Sequence, residues 1–148
     1  MATPIPDEMI LIFYRQILIP WETLLKKHDG KWDAEPIRAL AAKFELVIEN
    51  IEQEHVASRV AQVQSKGPQD FLIFVRGKSL ACDLFRHVRN AVAHGGISLL
   101  KTSRKPALLN FQSPAFHGPG LALVGQLRAE RLSPLIDSLA ASAPVSFE

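Results

Sequence analysis

The sequence lacks the features that mark secreted and membrane proteins. It contains a single cysteine, Cys82, so no disulfide can form within the chain, which favours a reducing compartment. No apolar run approaches the roughly 20 residues that a membrane span requires. The apolar segment Ile5–Ile19 contains Asp7 and Glu8 where a signal peptide carries basic residues. We therefore expect a cytoplasmic protein with no membrane association.

The chain also lacks a strong charge bias and any sign of internal division. Its 17 basic and 15 acidic residues give a net charge of +2, which neither demands nor excludes a nucleic-acid partner. No internal repeat, low-complexity tract or interdomain linker is present. With 148 residues, of which 47% are hydrophobic, we expect one globular domain over residues 1–148.

Hydrophobic periodicity predicts three long helices in the first two thirds of the chain. The first runs from about Asp7 to Lys27, and Pro20 must kink or divide it. The second begins at Asp33 and follows an apolar stripe to about Val63. The third runs from about Pro68 to His94 and ends at a glycine pair.

The pattern changes after the third helix. A basic loop at residues 101–106 precedes two short β-compatible runs, Ala107–Gln112 and Leu121–Leu127, which predict a small hairpin. Ser133 and Pro134 are typical of a helix start and predict a short last helix, which could instead begin nearer Arg128. We therefore predict an all-α fold, an antiparallel bundle of about four helices with a small β-hairpin before the last helix.

The end of the third predicted helix, Leu80–Gly96, concentrates polar side chains on one face. At about 100° per residue, these side chains fall within an arc of roughly 160°, opposite the apolar residues. They are Asp83, Arg86, His87, Arg89, Asn90 and His94. A plain solvated face would more often carry Lys and Glu, so this arc is the candidate functional site.

The segment Arg89–Gly95, RNAVAHG, resembles the R-N-x-x-x-H-G form of the motif that defines HEPN domains. The resemblance implies a helical bundle and a metal-independent endoribonuclease of the toxin or defence type, which cleaves RNA at a dimer interface. It further implies a homodimer and an antitoxin or nucleotidyltransferase as partner. Some HEPN toxins are modified on a Tyr two residues after the His, but Gly96 stands there in this chain.

Metal-independent RNA cleavage needs a base, an acid and a cation that holds the phosphate. A histidine suits the first two roles because its pKa lies near neutrality, and an arginine fork suits the third. The resemblance therefore implies His94 as acid and base, Arg89 as phosphate clamp and Asn90 as supporting group. The expected substrate-binding residues are Arg86, His87, Lys101, Arg104 and Lys105.

Two other interpretations remain open at this point. One is a non-catalytic HEPN subunit that binds RNA, a nucleotide or a partner protein. The other is a helix end that only stabilises the fold, because a histidine in the last turn and a following glycine favour helix termination. A metal site is not expected, since the Glu52-x-x-His55 pair typical of di-metal bundles has no second copy, and no cofactor is expected.

Overall fold

The computed structural model describes residues 2–28, 30–67, 70–102, 105–115 and 120–146, and within these ranges six strands form one mixed sheet. Its order is β1-β4-β5-β6-β3-β2, and among these strands only β2 and β3 pair in parallel. The strands are β1 (Ala2–Pro4), β2 (Val47–Ile51), β3 (Phe71–Val75), β4 (Ile97–Thr102), β5 (Lys105–Pro114) and β6 (Leu121–Arg128).

The helices cover both faces of this sheet. Residues 7–25 are helical without a break, and we refer to them as the N-terminal helix. This helix consists of α1 (Asp7–Phe13) and two π-helical turns, Tyr14–Leu18 and Trp21–Leu25, on either side of Pro20. The other helices are α2 (Glu35–Phe44), α3 (Val56–Ser65), α4 (Leu80–Ala93) and α5 (Leu132–Ser142), with 3-10 turns at Gln53–His55 and Ala129–Arg131.

The predicted all-α helical bundle is wrong, because two of the three long predicted helices each contain a strand. The second ends early at Glu45, whose left-handed backbone (φ 56°) closes α2, and the apolar stripe continues as β2. The third divides into β3 and α4. Strand β3 is apolar along its whole length because it is covered on both faces, so it lacks the alternation that identifies a half-exposed strand.

The predicted hairpin and last helix are confirmed, but the hairpin lies in the middle of the sheet. Strands β5 and β6 pair antiparallel, with Phe111 opposite Gly125. Strand β4 pairs with β5 and was not predicted. Helix α5 follows β6 through a 3-10 turn, so its start lies slightly earlier than Ser133.

Two apolar clusters lie on opposite faces of the sheet. The larger joins the N-terminal helix, α2, α4 and α5 to the sheet, with fully buried Phe13, Phe85 and Leu123 among its members. The smaller packs α3 against β3 through Val60 and Ile73. Helix α4 therefore buries its apolar face in the main core and leaves its polar edge beside the N-terminal helix. Within the described residues, none of the helices combines the length and apolarity needed to cross a bilayer.

Candidate functional site

A cleft with a volume of about 570 Å³ lies along the polar edge of α4. The described residues that line it include four cationic side chains, Lys26, Arg76, Arg86 and Arg89. His87 and Asn90 of α4 also line it, and so does Trp21 of the N-terminal helix. The cleft thus combines four residues of the predicted polar arc of α4 with cations from the N-terminal helix and from the loop after β3.

Arg89 is the cleft residue with the most defined contacts. Its Nη1 donates to Asn90 Oδ1 at 2.9 Å, and its Nη2 pairs with the Glu22 carboxylate of the N-terminal helix. Its buried Nε has no hydrogen-bond partner among the described residues. Desolvation acts to raise the pKa of Glu22, but the Arg89 guanidinium, helped by Lys26, lowers it overall. Glu22 therefore stays ionised and occupies one side of the arginine fork.

Asp83 anchors the loop between β3 and α4, which lines the cleft through Arg76 and Gly77. Its carboxylate is fully buried and accepts hydrogen bonds from the backbone N–H groups of Gly77 and Lys78, both at 2.8 Å. It also accepts from Asn50 Nδ2 at 3.3 Å and lies 3.7 Å from Arg86 Nη2. A Cβ added to Gly77 would lie 2.7 Å from Arg86 Nη2, so a larger residue there would displace the arginine.

His87 forms part of the cleft wall and is held in its neutral form. Its Nε2 lies 2.9 Å from the carbonyl oxygen of Val75, and because that oxygen can only accept, Nε2 carries the proton. Nδ1 has no hydrogen-bond partner among the described residues. Burial lowers the pKa of His87, although the hydrogen bond to Val75 opposes the shift. The side chain is only 5% exposed.

His94 does not join this cleft. It follows the last residue of α4 as the C-cap, and its side chain is exposed. The structure therefore brings Arg86, His87, Arg89 and Asn90 together and leaves His94 at the helix end. Arg104 lies outside the described residues, and Lys101 and Lys105 are described only as backbone positions of β4 and β5.

The glycine pair after α4 has a packing role. Gly95 adopts a left-handed conformation (φ 70°), which ends the helix. A Cβ on Gly96 would lie 1.8 Å from the carbonyl oxygen of Gln112 in β5, so no larger residue fits there without a shift of the backbone. The Tyr found at this position in some HEPN toxins would therefore not be accommodated in this fold.

Sequence patterns do not identify two of the cleft cations or the acid that pairs with Arg89. Lys26 lies at the end of the first predicted helix, and Arg76 lies inside the predicted third helix, whereas the structure places it in the loop after β3. Glu22 is 67 residues from Arg89 in sequence, and no local pattern connects them. The basic residues Lys26, Lys27 and His28 at the end of the first predicted helix are the sequence signal that could have indicated Lys26.

Comparisons with known proteins assign no family to the chain. No protein-family model matches the chain, and neither does any curated protein or solved structure. The resemblance to HEPN domains therefore stays a prediction, although the helical bundle that it implied is wrong. Among the described residues, no group of three or more His, Cys, Asp or Glu side chains is arranged to hold a metal ion.

Proposed function

We propose that this chain binds the phosphate of a nucleotide, either free or as part of single-stranded RNA, in the cleft beside α4. The observation that carries the proposal is the convergence of cationic side chains from three parts of the chain. Arg86 and Arg89 come from α4, Arg76 from the loop after β3 and Lys26 from the N-terminal helix. The volume of about 570 Å³ falls within the range of small-molecule sites.

The chemistry of these cations suits a phosphate. An arginine fork can donate two parallel hydrogen bonds to phosphate oxygens, which a lysine cannot do. Two of the cations have loose acid contacts, since Arg76 lies 3.6 Å from Glu52 and Lys26 lies 3.6 Å from Glu22, although Glu22 also pairs closely with Arg89. Partly exposed ion pairs of this kind contribute little stability, so a phosphate can displace them.

Binding without cleavage is the function that this geometry favours. A general acid or base must reach the reacting oxygen, and His94 is exposed outside the cleft. His87 lies at the cleft, but its Nε2 is committed to the Val75 carbonyl. The endoribonuclease and the toxin or defence role implied by the HEPN resemblance stay predictions.

The predicted homodimer also stays a proposal. Several large apolar side chains are exposed on the N-terminal helix, which provides surface for a second copy of the chain; they are Leu11, Ile12, Tyr14, Ile19 and Leu24. Sedimentation velocity over a range of concentrations would test it. A monomer at all concentrations would exclude a stable dimer.

Titration calorimetry with ribose 5-phosphate and fluorescence anisotropy with a labelled single-stranded RNA test the binding proposal. Arg86→Ala and Arg89→Ala should each weaken binding. Arg89→Lys should bind only slightly more tightly than Arg89→Ala, because a lysine lacks the two-pronged guanidinium. Arg38→Ala is the matched control, since Arg38 is an exposed residue of α2 away from the cleft. Equal affinity in all variants that melt like the parent protein would refute the proposal.

The salt dependence of RNA binding provides a second test of the proposal. If all four cations contact phosphates, the logarithm of the association constant should fall with the logarithm of salt concentration at a slope of about −3. Removal of Arg86 or Arg89 should reduce the slope by about 0.7. Binding of ribose 5-phosphate but not of RNA would favour a free phosphate ester over RNA as the ligand.

A further inference from the structure

A second cleft of about 470 Å³ adjoins the first along the N-terminal helix. The two clefts share three residues, Trp21, Lys26 and Arg86. The second is lined in addition by Trp32, which precedes α2, and by Lys78, which precedes α4. Both tryptophans of the chain therefore lie at this second cleft, which we call the tryptophan cleft.

The aromatic rings of this cleft are fixed by one another. Trp21 stacks on Phe85 at 5.8 Å between ring centroids, with 22° between their planes. Trp32 meets Phe85 edge-on at 5.5 Å and lies 6.3 Å from Trp21. Phe85 is fully buried and Trp21 is 8% exposed, whereas Trp32 is half-buried. Trp32 thus presents part of its indole ring to a ligand, and it packs against the buried rings of Trp21 and Phe85.

Two cationic side chains line both clefts. Arg86 lines both, and its guanidinium lies 3.7 Å from buried Asp83, which also holds the loop at Gly77 and Lys78. Lys26 is likewise shared. A ligand that placed an anionic group among the arginines would therefore have an aromatic wall next to it. A nucleotide has this combination of a phosphate and a planar base.

We propose that the tryptophan cleft binds the base of the nucleotide whose phosphate lies between Arg86 and Arg89. The inference rests on the proposed function and deepens it, since it assigns the base to a separate subsite. Stacking on an aromatic side chain tolerates any base, because every base has a π-face, and it raises affinity about 5- to 150-fold. The subsite distinguishes a nucleotide from a simple phosphate ester.

The test compares AMP with ribose 5-phosphate, which carries the same sugar and phosphate without the base. The parent protein should bind AMP at least about 5-fold more tightly. AMP should also change the tryptophan fluorescence more than ribose 5-phosphate does, because Trp32 lines only the tryptophan cleft whereas Trp21 lines both clefts. Trp32→Leu should bring the affinity ratio close to one with unchanged affinity for ribose 5-phosphate, and Trp32→Phe should keep most of the preference.

The outcomes separate the subsite from the phosphate site. Equal affinity of the parent protein for the two ligands, with the same fluorescence change for both, would overturn the base subsite and leave the phosphate site in place. An unchanged ratio in folded Trp32→Leu would also overturn it. If neither ligand binds, the same comparison is made between a single-stranded RNA and its abasic analogue. If neither of these strands binds, both the phosphate site and the base subsite are refuted. Because the fluorescence measurement uses the parent protein, the test does not depend on whether the variant folds.

Discussion

Asp83 should be the polar residue of α4 on which stability depends most. Asp83→Ala would leave the backbone N–H groups of Gly77 and Lys78 without their acceptor and the guanidinium of Arg86 without its nearest acid. The Arg86 side chain is 40% exposed and can be hydrated, so the loss comes mainly from the two hydrogen bonds to the buried carboxylate. A hydrogen bond to a charged group contributes about 1.5–3 kcal/mol, so we expect Asp83→Ala to lower the free energy of unfolding by about 3–5 kcal/mol.

Asp83→Asn provides a finer test of the same network. The amide keeps the shape of the side chain and one acceptor oxygen, but its NH₂ group would face one of the two backbone donors. We expect a loss of about 2–3 kcal/mol, intermediate between the parent protein and Asp83→Ala. A domain with the usual stability of about 5–15 kcal/mol would still fold with this substitution.

Urea unfolding monitored by circular dichroism measures these losses, with Asp137→Ala as the control. Asp137 is exposed on α5, so its removal should change stability by no more than about 0.5 kcal/mol. The slope of free energy against urea should stay constant across the set, so that midpoints report stability alone. If Asp83→Ala stays within about 1 kcal/mol of the control, the carboxylate does not hold the loop as described.

Three further predictions concern acidity, competition and cleavage. Because burial lowers the pKa of His87, the unfolded state binds more protons than the folded state below about pH 6.5. The free energy of unfolding should therefore decrease as the pH falls below this value, by up to about 1.4 kcal/mol per pH unit. In urea titrations at several pH values, His87→Gln should reduce this dependence of the free energy of unfolding on pH. Glu22→Gln should strengthen ribose 5-phosphate binding severalfold by calorimetry, since it releases the arginine fork, and Glu130→Gln should leave it unchanged. If the predicted endoribonuclease activity exists, His94→Ala should abolish cleavage of RNA in excess EDTA with no loss of helical signal; retained cleavage would exclude His94 as the acid and base.

Local sequence was sufficient for the parts of the fold whose signals lie within one element. The polar arc of α4 follows from helical periodicity alone, and the structure keeps Arg86, His87, Arg89 and Asn90 on one edge. The β5–β6 pairing follows from two short β-compatible runs with a loop rich in Gly and Pro between them. Helix α5 follows from Pro134 near its start.

Tertiary structure decided the fold class, because a short apolar run is compatible with a strand or with a buried helix. Phe71–Val75 forms a strand because β2 and β6 pair with it and helices cover both its faces. Its five residues have no polar alternation that could distinguish the two states in advance.

The candidate site was likewise only half determined by sequence. Periodicity within α4 could place its own polar side chains, but Lys26, Arg76 and Glu22 reach them only after the N-terminal helix and the loop after β3 pack against α4. The same packing separates His94 from the cleft, since the helix ends at Ala93 while the cleft lies farther back along its edge. Sequence alone thus determined which side chains α4 presents, and long-range packing decided which groups they meet, because such contacts depend on the chain's path and leave no local periodicity.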